Sequence, residues 1–312
     1  MSLAAFALRR VLVTIPLLLL VMLATFALMR GTGGSPFEPP EGYVGVPYQQ
    51  ERVLRRHYRL DEPWFLEFAV YVKNVATLNF GPSLVNRHLT VDDVIRGALP
   101  VTLELVLLAA AWAVPVGVAL GVWAGVRRGS ARDLAATSGA TFLLALPVFF
   151  VAYLLSTYLV TRWQLVPDGW ETNGAKVLPA LALGLAPVGY VARLIRTAVV
   201  EALQEDYVRT ARAKGLRERR VIWVHVLRNS LAPFLAGAVP MIALLVTGAF
   251  FVEQAFDIPG ASTFFLDAAF TRDYPMLMGL TVVLAVLVLA ANLVSDVLLA
   301  AADPRVREAQ AR

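Results

Sequence analysis

The chain has 312 residues, 58% of them hydrophobic and only 16% charged. Soluble domains carry roughly 25% charged residues, so the composition points to a membrane protein. The net charge of +5 falls mainly between apolar runs, where membrane topology and anionic headgroups account for it without any nucleic acid. The lack of cysteine excludes disulfides, thiolate chemistry and Cys-based metal sites.

A helix needs about 20 apolar residues to cross the hydrocarbon core. Six runs qualify in chain order: Val11–Met29, Val101–Gly125, Leu134–Val160, Val177–Ala192, Leu231–Phe251 and Met276–Ala302. The fourth is short and carries Gly184, Pro187 and Gly189. Lipid tolerates only helices and closed barrels, and these runs are too long and too uniformly apolar for barrel strands. The expected fold class is an all-α integral membrane protein with six transmembrane helices. Arg9-Arg10 before the first run resembles a signal peptide, but that run exceeds a signal core and no small-x-small site follows. The first span is expected to be retained.

Two parts are expected. Residues 1–100 supply the first span and a long outer segment, and residues 101–312 supply a five-helix core with a polar loop at 193–230. Orientation follows from Lys and Arg: with the N-terminus inside, the inner segments 1–10, 126–133, 193–230 and 303–312 hold 2, 3, 9 and 3 of them. The short outer loops 161–176 and 252–275 hold 2 and 1. The long loop at 30–100 holds 8, but loops of that length translocate largely regardless of charge. Both termini are therefore expected on the cytoplasmic side.

In the outer segment Thr90-Val91-Asp92-Asp93 is a helix-start pattern. Gly117, Gly121 and Gly125 form a small-xxx-small ladder, which lets another helix approach closely, within the chain or at a subunit interface. Pro16, Pro115, Pro147, Pro187 and Pro240 each remove a backbone hydrogen bond within a span and favour a kink. The acids Glu104, Glu253 and Asp296 lie near span ends, where interfacial placement is expected. No P-loop, no metal-ligand spacing among His57, His88 and His225, and no GxSxG occurs. The chain is expected to be non-catalytic and to bind no cofactor itself; uphill movement would draw on an ion gradient or another subunit.

The polar island between the fourth and fifth runs is the most informative stretch. From Arg193 to Gly215 it reads as a helix extending the fourth span, with Leu194, Ala198 and Ala202 in one row and Ile195, Val199 and Leu203 in the next. A second amphipathic stretch follows, with Leu216, Trp223 and Leu227 among polar Arg217, Glu218, Arg219 and Arg220. Two short helices hinged at Gly215 are expected, resting on anionic lipid or against a protein surface. Small Ala211 and Ala213 favour the protein.

This stretch resembles the cytoplasmic "EAA" loop of ABC-importer permeases, in the form carried by the oligopeptide, dipeptide and nickel group. The matching residues are Asp206, Tyr207, Val208, Arg209, Thr210, Ala211, Arg212, Ala213, Lys214, Gly215 and Leu216, then His225, Leu227, Arg228, Asn229 and Pro233. The acid that names the general motif appears as Arg209, as is usual in this group. Further resemblance to the B-type permease lies in Leu60-Asp61-Glu62-Pro63, Leu99 to Glu104, Val252-Glu253, Pro259-Gly260, Arg272 to Pro275 and Asp303 to Arg307. Asn79 to Ser83 departs from the group's pattern.

The resemblance implies a type I ABC importer permease fold in the bacterial cytoplasmic (inner) membrane. It also implies a second homologous permease, two cytoplasmic ATPases and an extracytoplasmic substrate-binding protein as partners, with peptide, nickel or another small solute as cargo. The loop carrying Asp206, Tyr207, Arg209, Thr210, Ala211, Ala213, Lys214, Gly215, Leu216, Glu218, Arg219 and Arg220 would couple to one ATPase. An ion-coupled secondary transporter is the main alternative, disfavoured by six spans, no buried acid pair and no inverted repeat. A membrane scaffold with the island as a docking site is a third.

Overall fold

The computed structural model describes residues 3–31, 37, 51–53, 55–56, 61–86 and 88–302. Leu60, His57 and the segment 303–312, including the Asp303–Arg307 motif and the C-terminal inner charges, lie outside these residues. The described chain is helical, with one isolated bridge between Pro82 and Thr90. The main helices are α1 (Leu3–Gly31), α2 (Trp64–Ala76), α3 (Val91–Gly125), α4 (Ala131–Ala145), α5 (Val148–Leu155), α6 (Asn173–Ala202), α7 (Asp206–Ala213), α8 (Glu218–Arg220), α9 (Leu227–Ala255), α10 (Ala261–Thr271) and α11 (Tyr274–Ala302). π-helical turns at Ser156–Arg162 and Val221–Val226 extend α5 and join α8 to α9.

Four of these helices, α1, α3, α6 and α11, are long and apolar enough to cross a membrane. The expected third span is instead a bent pair, α4 and α5, set at 86°. The break falls at Leu146–Pro147. Leu146 is extended (φ −72°, ψ 120°), because the ring of a following proline disfavours helical backbone in the residue before it. Pro147 is the N-cap of α5 and is extended too (φ −64°, ψ 124°), and its missing N–H breaks no hydrogen bond of that helix.

Two compact units form. One comprises 104–258 with the described residues of 1–8 and 290–312; the other comprises the described residues of 9–103 with 259–289. In the first, α6 is the central helix, packed by α4, α5 and α9. It is less apolar than α1 yet far more deeply buried within the protein. A helix enclosed by protein needs close packing more than oiliness. Gly184 lies under the Trp112 indole and Gly189 against the Ala140 carbonyl. Trp112 Nε1 donates to the Ala180 carbonyl at 2.9 Å. Pro179 and Pro187 sit within α6 without ending it.

The Gly117–Gly121–Gly125 ladder of α3 faces α6, where the ridge of Val191, Ile195 and Val199 fills it. Glu104 accepts from Lys176 Nζ at 2.6 Å and Trp170 Nε1 at 3.2 Å. Glu253 differs from the interfacial expectation: though near the end of α9, it is wholly enclosed by protein.

In the second unit Met22, Tyr71, Phe80, Val91, Val94 and Leu280 belong to one apolar cluster. Thr90 and Asp93 cap α3 reciprocally: Thr90 Oγ1 accepts from the Asp93 N–H at 3.1 Å, and Asp93 accepts from the Thr90 N–H at 3.2 Å. The helix that starts there is no separate outer-loop helix. It runs on for 35 residues, roughly 52 Å, well beyond the bilayer core. Asp273 precedes α11, accepting from the Met276 N–H at 3.3 Å, and also accepts from Ser83 Oγ and, at 3.2 Å, from the Leu84 N–H. Burial raises the pKa of this carboxyl, against the lowering effect of those hydrogen bonds.

Candidate functional site

The polar island folds as a hairpin. α6 stops at Ala202, Glu205 turns extended (φ −72°, ψ 148°), and α7 starts afresh at Asp206. The expected continuous helix from Arg193 to Gly215 is thus two helices. Its row Leu194, Ala198, Ala202 would have continued as polar Asp206 and Thr210, whereas the new direction buries Val208 and Ala211. α7 packs back on the π-helical turn Val221–Val226, whose Val221 and Val226 are also buried.

Gly215 makes the turn. Its φ is +74°, a left-handed backbone that costs an ordinary L-residue about 1–2 kcal/mol. The Gly215 N–H donates to the Arg212 carbonyl at 2.9 Å and the Leu216 N–H to the Ala211 carbonyl at 3.3 Å, the paired bonds of a Schellman ending. Nothing lies within 4 Å of where a Gly215 Cβ would stand. The glycine is therefore required within the chain for its backbone angle, not for internal space.

The site residues divide by face. Ala211 points into the chain, so its small size serves the hairpin's own seam. Tyr207, Arg209, Thr210, Ala213, Lys214 and Gly215 are exposed, and Leu216 is half-buried. Arg212 grips Glu218 across the turn with two bonds, at 2.6 and 3.2 Å. That pairing lowers the Glu218 pKa and raises that of Arg212. The brace is therefore complete at neutral pH and is lost as pH falls through the lowered Glu218 value. Asp206 accepts from Arg209 at 3.3 Å one turn away. Both pairs are solvent-exposed, so each contributes little to stability.

Trp223 lies on the outer side of the turn. It is 52% exposed, and Val221 and Val226 take the buried positions. A π-turn brings residues five apart onto one face, which places Val221 and Val226 together in the seam.

One constellation was not singled out from sequence. Asp133 accepts from Arg196 Nε at 2.5 Å and Nη2 at 2.8 Å, and from the Gly129 N–H at 2.9 Å. Ser130 Oγ accepts from the Asp133 N–H at 3.4 Å. The Ser-x-x-Asp pattern at 130–133 was a legible start signal for α4, but nothing local names Arg196 as its partner. The pair clamps the start of α4 to the part of α6 that leads into the hairpin. Arg196→Ala is expected to lower stability by roughly 1.5–3 kcal/mol, the range for hydrogen bonds to charged groups; thermal unfolding of the detergent-solubilised protein checks this.

The described residues thus form packed helices with an exposed basic hairpin between two long ones. Residues 117–308 match the family described as binding-protein-dependent transport system inner membrane component. The chain is 35% identical over 291 residues to the dipeptide transport system permease protein DppB of Bacillus subtilis, covering 93% of this chain and 94% of that one. It is 34% identical over 305 residues to the oligopeptide transport system permease protein OppB of Salmonella typhimurium, covering 97% and 99%. A solved structure titled as inward-facing conformations of the MetNI methionine ABC transporter superposes with TM-score 0.54 at 16% identity, over 67% of this chain and 96% of that one. The last shows a shared fold. The chain belongs to the binding-protein-dependent transport system inner membrane component family, the permeases of ABC transporters, and resides in the inner membrane. Its relatives are transport permeases rather than enzymes.

Proposed function

We propose that this chain is one membrane half of an ATP-driven importer of di- or oligopeptides. Six crossings are assigned to α1, α3, the α4–α5 pair, α6, α9 and α11, with both termini and the hairpin cytoplasmic and a permease core over 101–312. A second homologous permease completes the pathway, two cytoplasmic ATPases bind beneath, and an extracytoplasmic binding protein delivers cargo. The chain binds no cofactor. The peptide reading is supported by what DppB and OppB carry.

The observation that carries the coupling role is the hairpin's two-faced construction. Tyr207, Thr210, Ala213 and Lys214 form an outward surface for an ATPase, while Val208 and Ala211 seat α7 on the π-turn. That turn runs directly into α9, which packs along α6. Closure of the ATPases on ATP then moves α7 as a lever, and the displacement passes into the two helices beside the pathway.

Two measurements test this. Uptake of a labelled dipeptide should vanish when the chain is deleted and when ATP is depleted; uptake that survives ATP depletion overturns the ATP-driven reading. The chain has no cysteine, so Thr210→Cys introduces a single thiol. An impermeant maleimide should label it in inverted vesicles stripped of bound ATPases and leave it untouched in intact cells, and the reverse pattern overturns the orientation.

A further inference from the structure

We propose that Arg217, Arg219 and Arg220, with Trp223 beside them, form a binding site for the phosphate-bearing headgroup of an anionic phospholipid. These four residues line a groove of about 550 Å³. None of the three guanidinium groups has an acidic partner among the described residues; the ion pairs of the hairpin are made by Arg209 and Arg212. Three cations within four consecutive positions repel one another, and an anion among them relieves that repulsion. Guanidinium forks match phosphate oxygens two at a time.

Trp223 and Val224 identify the anion's source. Both are exposed, while Val221 and Val226 of the same turn are fully buried. Seven residues on from Val224, Leu231 is exposed too, so an apolar strip leads from the groove into the apolar run of α9. Trp223 stands eight residues before Leu231, at most roughly 12 Å along the helix, beside the headgroup layer where tryptophan concentrates. Polar protein partners do not call for this strip; a lipid, with headgroup and tail, matches both ends of it. The pairing recurs where α3 gives way to α4: the Arg132 guanidinium lies 6.0 Å over the Trp123 ring, near exposed Arg127 and Arg128. α7's outward face remains for the ATPase.

The proposal rests on the hairpin being cytoplasmic, which the Thr210→Cys labelling tests independently. The test of the site itself uses the purified, delipidated transporter complex and native mass spectrometry, with phosphatidylglycerol, phosphatidylcholine and inorganic phosphate as probes. Wild-type complex should retain phosphatidylglycerol in preference to phosphatidylcholine, and millimolar phosphate should not displace it. The triple variant Arg217→Gln, Arg219→Gln, Arg220→Gln should bind phosphatidylglycerol on the order of a hundredfold more weakly, each cation contributing about a factor of five. The corresponding triple Lys variant should recover most of the binding. The proposal is overturned if the Gln variant binds as tightly as wild type, or if the Lys variant fails equally. It is also overturned if free phosphate displaces the lipid, or if the Gln variant keeps its lipid and sheds its ATPases.

Discussion

Replacing Gly215 with tryptophan is expected to abolish uptake, and with it the stimulation of ATP hydrolysis by cargo, while the amount of chain in the membrane stays unchanged. Two effects combine. The backbone at 215 is left-handed, with φ +74°, which strains any residue bearing a Cβ by about 1–2 kcal/mol. The indole would project into the space where the proposed ATPase sits, because no atom of the chain itself lies within 4 Å of that Cβ position. For the same reason the membrane-embedded helices should fold undisturbed. Companion variants separate the two effects. Asparagine tolerates the left-handed region at modest cost, so Gly215→Asn should keep most of the transport. Gly215→Ala carries the strain with little bulk and should fall between. A tryptophan variant that transports normally would falsify the coupling role. Alanine as inactive as tryptophan, beside an active asparagine, would place the whole effect in the backbone.

The turn and its brace depend on each other. The Arg212–Glu218 pair spans the glycine, and the Leu216 N–H bond to Ala211 forms only when Gly215 is left-handed. A residue that pulls 215 out of that region therefore loosens both arms of the hairpin at once.

How much of this was legible in the sequence depended on whether the signal was local. Thr90 and Asp93 announced a helix start that the structure places within one residue, because capping joins groups three positions apart. Pro147 announced a kink, but not its size: whether a proline bends or breaks a helix is set by what the two halves pack against. Hydropathy undervalued α6, since its proteinaceous surroundings make glycine and proline serviceable where lipid would require leucine. The π-turn at Val221–Val226 itself was not legible, because its five-residue spacing leaves no signature at 3.6 residues. Arg196 was invisible as a partner for Asp133, 63 positions away, as ion pairs between helices leave no pattern in one sequence. The glycine ladder was plain as a close-approach motif, yet its partner helix is named only by the fold.

That ladder supports the second large effect. Gly121→Val is expected to remove most of the folded chain from the membrane, and what remains should melt well below wild type in detergent. A Cβ at 121 would stand 2.7 Å from the Ala192 carbonyl oxygen, 2.8 Å from the Ile195 Cβ and 3.0 Å from the Arg196 amide nitrogen. Two of these are backbone atoms of α6 and cannot rotate away, so α3 and α6 must separate. Separation opens the neighbouring contacts as well, where Gly117 meets Val191 and Gly125 meets Val199. Between membrane helices close packing replaces the hydrophobic drive, so nothing offsets that loss. Overpacking of soluble cores costs typically about 1–3 kcal/mol, and the backbone clash places this variant at or above the upper end. Gly139→Ala in α4 is the matched control: nothing lies within 4 Å of its Cβ position, and alanine favours a helix interior by roughly 0.5–1 kcal/mol. It should express and melt like wild type or slightly better. If Gly121→Val and Gly139→Ala melt alike, the packing of α3 on α6 is not what holds this unit together.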